Sequence, residues 1–201
     1  MKLRRLTTPA IVITLAIALA ACGSDDSSSA VATAAPAAAT GSAAAVVLNE
    51  ADVEFAQGMI AHHEQAIEMA EIALDPNRRA SPEVVDLATR VKAAQDPEVA
   101  LMTGWLTAAE QPLTMDMSDG HDMSSMEGMM SAEQMDSLEV ATGPEFDQMW
   151  LEMMIAHHQG AISQSETVKA DGSNADVLTL ADQIIAAQQT EITEMEGLLQ
   201  D

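Results

Sequence analysis

The sequence predicts an all-α protein, a four-helix bundle built from two repeated antiparallel helix hairpins. Ala, Leu, Ile, Glu, Gln and Met are abundant, and alternating β-type runs are missing. Helix start and stop signals divide much of the chain into four long segments, joined in pairs by short loops. In addition, a pattern in the first half of the chain returns in the second half.

This repeat centres on two copies of one motif. The first copy reads Met59-Ile60-Ala61-His62-His63 and the second reads Met154-Ile155-Ala156-His157-His158. Other aligned pairs lie before the motif and on the later helix of each half: Asp52 and Asp147, Phe55 and Trp150, Gln95 and Gln188, Glu98 and Glu191, and Met102 and Met195. Two hairpins of one design predict packing around a pseudo-two-fold axis.

Capping signals give approximate limits for the four helices. The predicted helices run from about Asn49 to Leu74, from Ser81 to about Ala109, from Thr142 to Asp171, and from about Asn174 to Leu199. Asp96-Pro97 lies inside the second segment and predicts a kink or a break. Residues 49–110 therefore form the first hairpin, and residues 142–201 form the second.

The N-terminal residues carry the pattern of an export signal. A basic start precedes an apolar run at residues 11–20 that is too short to span a bilayer as a mature helix. Leu19-Ala20-Ala21-Cys22 resembles the lipobox of bacterial lipoproteins, which implies cleavage after residue 21 and lipidation of Cys22. The alternative is an ordinary secretory signal with a cysteine there by chance. Residues 22–48 are then the lipidated cysteine and a disordered Ala/Ser/Pro tether.

Residues 111–141 are predicted to be a flexible connector rich in methionine and histidine. Its candidate metal ligands are Met117, His121, Met123 and Met126, set among Asp, Ser and Gly without helical periodicity. We interpret the connector as an acquisition arm for Cu(I) or Ag(I), and its aspartates as groups that help to recruit cations or Cu(II). The alternatives are a plain disordered linker and a surface that absorbs oxidation.

Composition excludes several classes of function. With 32 acidic and 8 basic residues, the formal charge of −24 disfavours binding to nucleic acid. The single cysteine rules out an internal disulfide framework and a cysteine-built zinc or iron–sulfur site.

The paired Met-Ile-x-His-His motifs, each with a later Gln-x-x-Glu and a Gly-x-Leu ending, resemble the domain of unknown function 305 family. The resemblance covers roughly residues 50–200. It implies a ferritin-like bundle, because that family is similar to ferritin-like folds. The family includes CopM-type bacterial copper-binding proteins, so the resemblance also implies copper binding or copper tolerance outside the cytoplasm.

Methionine and histidine share a broad stripe on the predicted helices. The candidate metal ligands of the bundle are Met59, His62, His63, Met102, Met154, His157, His158 and Met195. Imidazole with thioether is a soft donor set that suits Cu(I), or Ag(I) as its mimic, better than zinc or calcium. The alternative is that the histidines are core residues satisfied by the inward Gln and Glu. Histidine ligation predicts weaker binding as imidazole protonates near pH ~6.5.

These patterns predict a lipid-anchored copper-binding protein on the extracytoplasmic side of a membrane, periplasmic or at the cell surface. We expect a chaperone or buffer rather than an enzyme, with the metal ion, the membrane and a metal-transfer protein as partners. A non-metal acidic interaction module of the envelope is the main alternative. A ferritin-like metal oxidase ranks last, because Met59 and Met154 stand where a Glu-x-x-His motif needs glutamate.

Overall fold

Five α-helices contain most of the residues that the computed structural model describes, which are residues 46–115 and 126–200. In chain order they are α1 (Glu50–Leu74), α2 (Pro82–Ala108), α3 (Ala132–Val140), α4 (Pro144–Asp171) and α5 (Ala175–Leu198). These two ranges contain no β-strand, so the predicted all-α class is confirmed. The predicted signal peptide, Cys22 and most of the tether lie outside the described residues, as do Met117, His121 and Met123.

The helix starts follow the predicted capping residues. Asn49 and Asp52 form a capping box at α1, in which the Asn49 side chain accepts from the Asp52 backbone N–H at 2.8 Å. Ser81 caps α2 and stands before Pro82, and Asn174 caps α5. Each cap satisfies backbone N–H groups that have no partner within their own helix. The predicted limits of the four long helices therefore agree with the structure.

Of the kink or break predicted at Asp96-Pro97, the break does not occur, because α2 continues through Pro97 without interruption. Proline removes one backbone hydrogen bond from a helix, which frees the carbonyl of the residue four positions earlier. That residue is Ala93, and both Ala93 and Pro97 are exposed. Water can therefore hydrogen-bond the freed carbonyl, and the helix tolerates the proline at this position.

The connector is not irregular along its whole length, which corrects the prediction for residues 111–141. Residues 132–140 form α3, with Ser131 and Gln134 in a capping box at its start. Leu138 is the one fully buried residue of this helix. A nine-residue helix with a single buried position produces no apolar periodicity, so the sequence pattern does not reveal it.

α1 pairs with α2 and α4 pairs with α5 as two antiparallel hairpins, and α1 packs against α4. The indole N–H of Trp150 at the start of α4 donates to the Met69 carbonyl near the end of α1, at 2.9 Å. Phe55 at the start of α1 and Val168 near the end of α4 line one shallow pocket. α1 and α4 are thus antiparallel.

Two aspartates join the hairpins in the same way at both ends of the bundle. The Asp52 carboxylate accepts from the backbone N–H groups of Ser173 and Asn174, each at 3.1 Å. Its repeat equivalent, Asp147, accepts from the Ser81 N–H at 3.0 Å. Each first-turn aspartate therefore caps the second helix of the other hairpin. This exchange supports the predicted pseudo-two-fold arrangement.

The core consists of two hydrophobic clusters separated along the helices by polar residues. One cluster contains Met59 and Met102, and the other contains Met154 and Met195. On all four long helices, buried polar residues stand between the stretches that enter the two clusters. We call this set the histidine layer: His62, His63, Gln95, His157, His158 and Gln188. None of the described helices has the length and apolar composition needed to cross a bilayer.

Candidate metal centre

The histidine layer exists because the helical repeat directs polar side chains into the middle of the bundle. All four of its imidazoles are fully buried, at 0% exposure, and both amides are 3% exposed. α1 and α4 contribute two histidines each, while α2 and α5 contribute one glutamine each. The layer is therefore assembled from both hairpins, and neither hairpin holds it alone.

His62 and His157 form the centre of this layer. Their ring centroids lie 3.7 Å apart, with an angle of 43° between the ring planes. Neither Nδ1 nor Nε2 of either ring has a hydrogen-bond partner among the described residues. Four polar nitrogens are thus buried together, and residues 46–115 and 126–200 supply no partner for them.

His63 and His158 lie on the outer sides of the layer, and each has a carboxylate partner. His63 Nε2 is 2.8 Å from Glu98 Oε2, and His158 Nε2 is 2.7 Å from Glu191 Oε2. An ionised carboxylate can only accept, so each Nε2 donates, and the lone pair of the corresponding neutral tautomer is on Nδ1. Both Nδ1 atoms are buried and have no partner in the described part of the chain.

The alternative in which inward Gln and Glu satisfy all four histidines is correct for only half of them. Glu98 and Glu191 bond the two outer rings, as that interpretation requires. The side-chain oxygens of Gln95 and Gln188 are buried without a partner in residues 46–115 and 126–200. The glutamines therefore add two further acceptor atoms to the layer.

Burial keeps the central pair neutral. Desolvation is the main cause that lowers the pKa of His62 from its ordinary 6.5 to about 3, and the neighbouring His63 lowers it further. The backbone carbonyl of Glu127 lies near His62 and opposes this lowering, although its distance and angle to the ring nitrogens do not make a hydrogen bond. Burial, with His62 as the next cause, also holds the pKa of His157 well below 6.5. In the metal-free fold, protonation of this pair therefore begins well below the predicted pH of ~6.5.

The four predicted bundle methionines are fully buried in two separate sets. Met59 and Met102 lie in the cluster on one side of the histidine layer, and Met154 and Met195 lie in the cluster on the other side. Within the described ranges, no three His, Cys, Asp or Glu side chains meet as a group that could hold a metal ion. The predicted ligands thus form a central histidine pair, two histidine–glutamate pairs and two methionine sets.

A short part of the connector, residues 126–130, covers the layer on the α4 side, and we call it the strap. Gly160 lies under the strap, where a Cβ atom would overlap the Glu127 carbonyl group. Gly128 has φ +83°, and a Cβ on it would lie 2.9 Å from the His157 carbonyl oxygen. Two glycines therefore allow the strap backbone to touch the helix backbone beside His157.

Side chains on α1 and α4 hold the strap in place. The Gln65 amide donates to the Met130 carbonyl at 3.0 Å and accepts from the Met130 N–H at 2.7 Å. Ser163 donates to the Glu127 carboxylate at 2.7 Å. The candidate ligands predicted from the sequence include neither Gln65 nor the strap as a whole. A glycine inside a helix was the available signal, because such a residue usually has a packing reason.

Met126 is the one predicted connector ligand that the described residues include. Its methyl carbon lies 3.3 Å from the point where a Gly58 Cβ would stand, and the Met115 methyl lies 3.8 Å from that point. Gly58 is one helical turn before His62 on α1. Two parts of the connector thus bring two thioether side chains together next to the histidine layer.

A family model described as "Domain of unknown function (DUF305)" matches residues 52–199, which is most of the chain. The chain belongs to the DUF305 family. The resemblance found in the sequence is therefore confirmed, and the bundle of repeated hairpins is a DUF305 fold.

Solved structures of other DUF305 proteins share this fold. The chain is 30% identical to one from Streptomyces coelicolor, whose name marks it as a candidate secreted protein; the TM-score is 0.68, over 74% of this chain and 90% of that one. It is also 30% identical to a DUF305 fragment from Deinococcus radiodurans, with a TM-score of 0.67, over 75% and 96% of the two chains.

CopM is a third similar structure. In its Cu(II)-bound form it is 31% identical to this chain, with a TM-score of 0.61, over 74% of this chain and 95% of CopM. CopM has also been solved with Cu(I) and with silver. No curated protein matches the chain. The DUF305 fold thus occurs in a protein that binds the metals predicted here.

Proposed function

We propose that this DUF305 protein binds copper in the cell envelope, as a chaperone or buffer in metal homeostasis or tolerance. The observation that carries the proposal is the buried pair of His62 and His157. Their four ring nitrogens have no hydrogen-bond partner among the residues described. Each neutral ring has one nitrogen lone pair, and Cu(I), or Ag(I) as its mimic, is an ion that would use the two.

Stability alone does not account for the pair. A buried polar group without a hydrogen bond costs about 1–3 kcal/mol, and an apolar side chain of similar size at either position would avoid that cost. Neutral imidazole is also the commonest form of a histidine metal ligand. We therefore interpret the pair as metal ligands. The free-energy cost of burying their nitrogens without hydrogen bonds is offset when an ion binds.

The donor atoms around the pair favour a soft ion. Met59 and Met154 precede the central histidines by one turn on the same helices, and thioether with imidazole suits Cu(I) and Ag(I). CopM binds Cu(I), Cu(II) and silver in the same fold, which supports this choice of metals. Rings 3.7 Å apart are in van der Waals contact, so they must separate before an ion can lie between them.

The two outer histidines fit a supporting role. Glu98 and Glu191 bond their Nε2 atoms and so fix the orientation of each ring. A carboxylate bonded to the remote nitrogen of a histidine is a common way to orient a metal ligand and raise its basicity. We therefore assign His63 and His158 as flanking donors through Nδ1, with His62 and His157 as the central donors.

We further propose that the protein is exported and tethered to a membrane through a lipid on Cys22. The lipobox-like sequence before Cys22 supports this location, and the related protein from Streptomyces coelicolor bears a name that indicates secretion. Thioether and imidazole ligands remain usable in an oxidising compartment, where thiols form disulfides. In this setting, Met117, His121, Met123 and Met126 of the connector would collect ions, and a metal-transfer protein would supply or receive them.

The proposed role is holding a metal, without catalysis. The four histidines lie in a closed layer with no exposed ring atoms, whereas a substrate must reach the reacting group of an enzyme. The nearby carboxylates, Glu98 and Glu191, are bonded to histidines. A metal oxidase remains the least favoured hypothesis for the function.

The pairing of His63 with Glu98 and of His158 with Glu191 favours one other function. Two hydrogen-bonded histidine–glutamate pairs would also suit a purely structural layer in an acidic helical interaction module. In that case, copper leaves the bundle unchanged and the central histidines serve only packing. The two hypotheses make opposite statements about copper affinity.

A competition titration with a coloured Cu(I) chelator tests the proposal on the full chain in detergent. We expect the His62→Gln/His157→Gln variant to lose at least tenfold in affinity at its tightest site. His121→Gln is the matched control, because it replaces one histidine of the connector and none of the histidine layer, and its effect should be smaller. Equal affinity in the wild type and in a variant with all four paired histidines replaced would contradict the proposal.

A further inference from the structure

Two methionines of the connector, Met115 and Met126, meet at one point on α1. The methyl carbons of Met115 and Met126 both lie within 4 Å of the position that a Gly58 Cβ would occupy. Any larger residue at position 58 would crowd these side chains and Gln164, whose Oε1 lies 3.2 Å from the same position. The glycine thus leaves room for two thioethers and an amide oxygen beside the first turn of the histidine motif.

The hydrophobic effect does not account fully for this pairing. Neither methionine is among the buried core residues, although Met130 of the same strap is. Both Met115 and Met126 are partly exposed, so solvent and ions can reach them. Two partly exposed thioethers in close proximity are a donor set for a soft monovalent cation.

The strap separates these thioethers from the buried pair. Its first residue is Met126, and its second residue, Glu127, directs a backbone carbonyl toward His62. Its contact with Gly160 leaves no space between the strap and α4. An ion therefore cannot reach the pair on this side unless the strap moves.

We propose that Met115 and Met126 form an outer two-thioether site for Cu(I) or Ag(I), and that the strap is the cover that lifts before such an ion reaches His62 and His157. The inference deepens the proposed function and rests on it for the inner site. The outer site does not require the inner one. The Gln65 hydrogen bonds to Met130 are the main attachment of the cover, with Ser163 as a second attachment.

Protection from oxidation tests the outer site. The full-length His62→Gln/His157→Gln variant is treated with hydrogen peroxide with and without one equivalent of silver nitrate in chloride-free buffer, and peptide mass spectrometry gives sulfoxide formation at each methionine. We expect silver to slow oxidation of Met115 and Met126 at least fivefold. Met149, a partly exposed residue of α4, is the internal reference. No protection, or equal slowing at Met149, overturns the outer site.

Because this variant lacks the central histidines, the oxidation result does not depend on whether the inner pair holds copper. The copper titration above tests the inner pair. Failure of the outer site and failure of the proposed function therefore give different results.

Histidine modification tests the cover. Diethyl pyrocarbonate reacts with neutral imidazole, and peptide mass spectrometry measures the reaction at His62 and His157 in the full chain. We expect slow modification in the wild type and at least fivefold faster modification in Gln65→Ala. Gln57→Ala is the matched control, because Gln57 also lies on α1 and bonds a connector carbonyl, that of Pro112 at 2.7 Å, outside the strap.

Ser163→Ala is a second variant that leaves the buried core unchanged and removes the other attachment, so it should also accelerate modification. The cover hypothesis is contradicted if the histidines of Gln65→Ala and Ser163→Ala are modified at the wild-type rate. Fast modification in the wild type contradicts it as well. An equal acceleration in Gln57→Ala also counts against a specific role of the strap.

Discussion

His62 and His157 place their rings 3.7 Å apart at the contact between α1 and α4, and all four ring nitrogens lack a partner in the described part of the chain. This arrangement brings together one residue from each copy of the repeated motif. It also predicts an inverse relation between the stability of the metal-free fold and the capacity to bind copper.

Replacing both central histidines by leucine should stabilise the metal-free protein. The change removes two unpartnered polar groups from a fully buried site, so we expect the free energy of unfolding to rise by about 1–3 kcal/mol. Urea denaturation with a copper chelator present measures it. His63→Leu is the contrasting control and should lower stability, because it deprives Glu98 of its partner. Lower stability in the double leucine variant would favour the structural alternative.

Stability should fall as the pH drops from 6.5 toward 5. In the folded state the pKa of His62 is about 3 and that of His157 is also well below 6.5, whereas both titrate near 6.5 when unfolded. Protons therefore bind the unfolded chain preferentially, and each histidine contributes a loss approaching about 1.4 kcal/mol per pH unit well below 6.5. Their contribution is fully present above pH 6.5 and is lost on the way down to pH 3.

Thermal unfolding at several pH values, in the wild type and in His62→Leu/His157→Leu, measures this effect. Ordinary carboxylates remain mostly ionised down to pH ~5, so the window from 6.5 to 5 isolates the histidines. The part of the pH dependence of stability that His62 and His157 cause should disappear in the double variant. If stability depends on pH equally in the two proteins, burial does not keep these rings neutral.

Asp52→Ala should destabilise the bundle by about 1–3 kcal/mol. Its carboxylate accepts from the N–H groups of Ser173 and Asn174 and from its own cap at Asn49, so the variant leaves donors at two helix starts without partners. Thermal unfolding followed by circular dichroism is the measurement. Asp176→Ala, a first-turn acid of α5, is the control and should change stability by less. Equal effects would reduce the role of Asp52 to an ordinary helix cap.

Two glycine-to-alanine variants should change the free energy of unfolding in opposite directions. Alanine is favoured over glycine inside a helix by about 1 kcal/mol. At Gly104 of α2 no atom of the described structure lies within 4 Å of an added Cβ, so Gly104→Ala should stabilise the protein by roughly this amount. At Gly160 the added Cβ would overlap the Glu127 carbonyl, so Gly160→Ala should be destabilising. Chemical denaturation of these two variants tests the strap contact. A higher free energy of unfolding in Gly160→Ala than in the wild type would refute the contact.

Local signals in the sequence were sufficient for the four long helices, because Asn49, Ser81 and Asn174 cap three of them and Gly143-Pro144 opens α4. The repeat also indicated that His62 and His157 are equivalent. Their direct contact was beyond sequence reasoning, because it depends on how α1 crosses α4. The strap was missed for a related reason: its contacts join residues that are distant in sequence, such as Gln65 and Met130, and no periodicity marks such pairs.

The exchange of caps between Asp52 and Asp147 has a consequence for the size of the smallest complete unit. A hairpin expressed alone would present an aspartate without a helix to cap and a second helix without its capping aspartate. It would also expose its half of the histidine layer and the residues that it contributes to each of the two hydrophobic clusters. Two identical copies could satisfy each other by the same exchange, because the contact is reciprocal. Each half of the chain thus takes the place of one protomer in a pseudo-symmetric pair, and the connector joins the two halves in a single molecule.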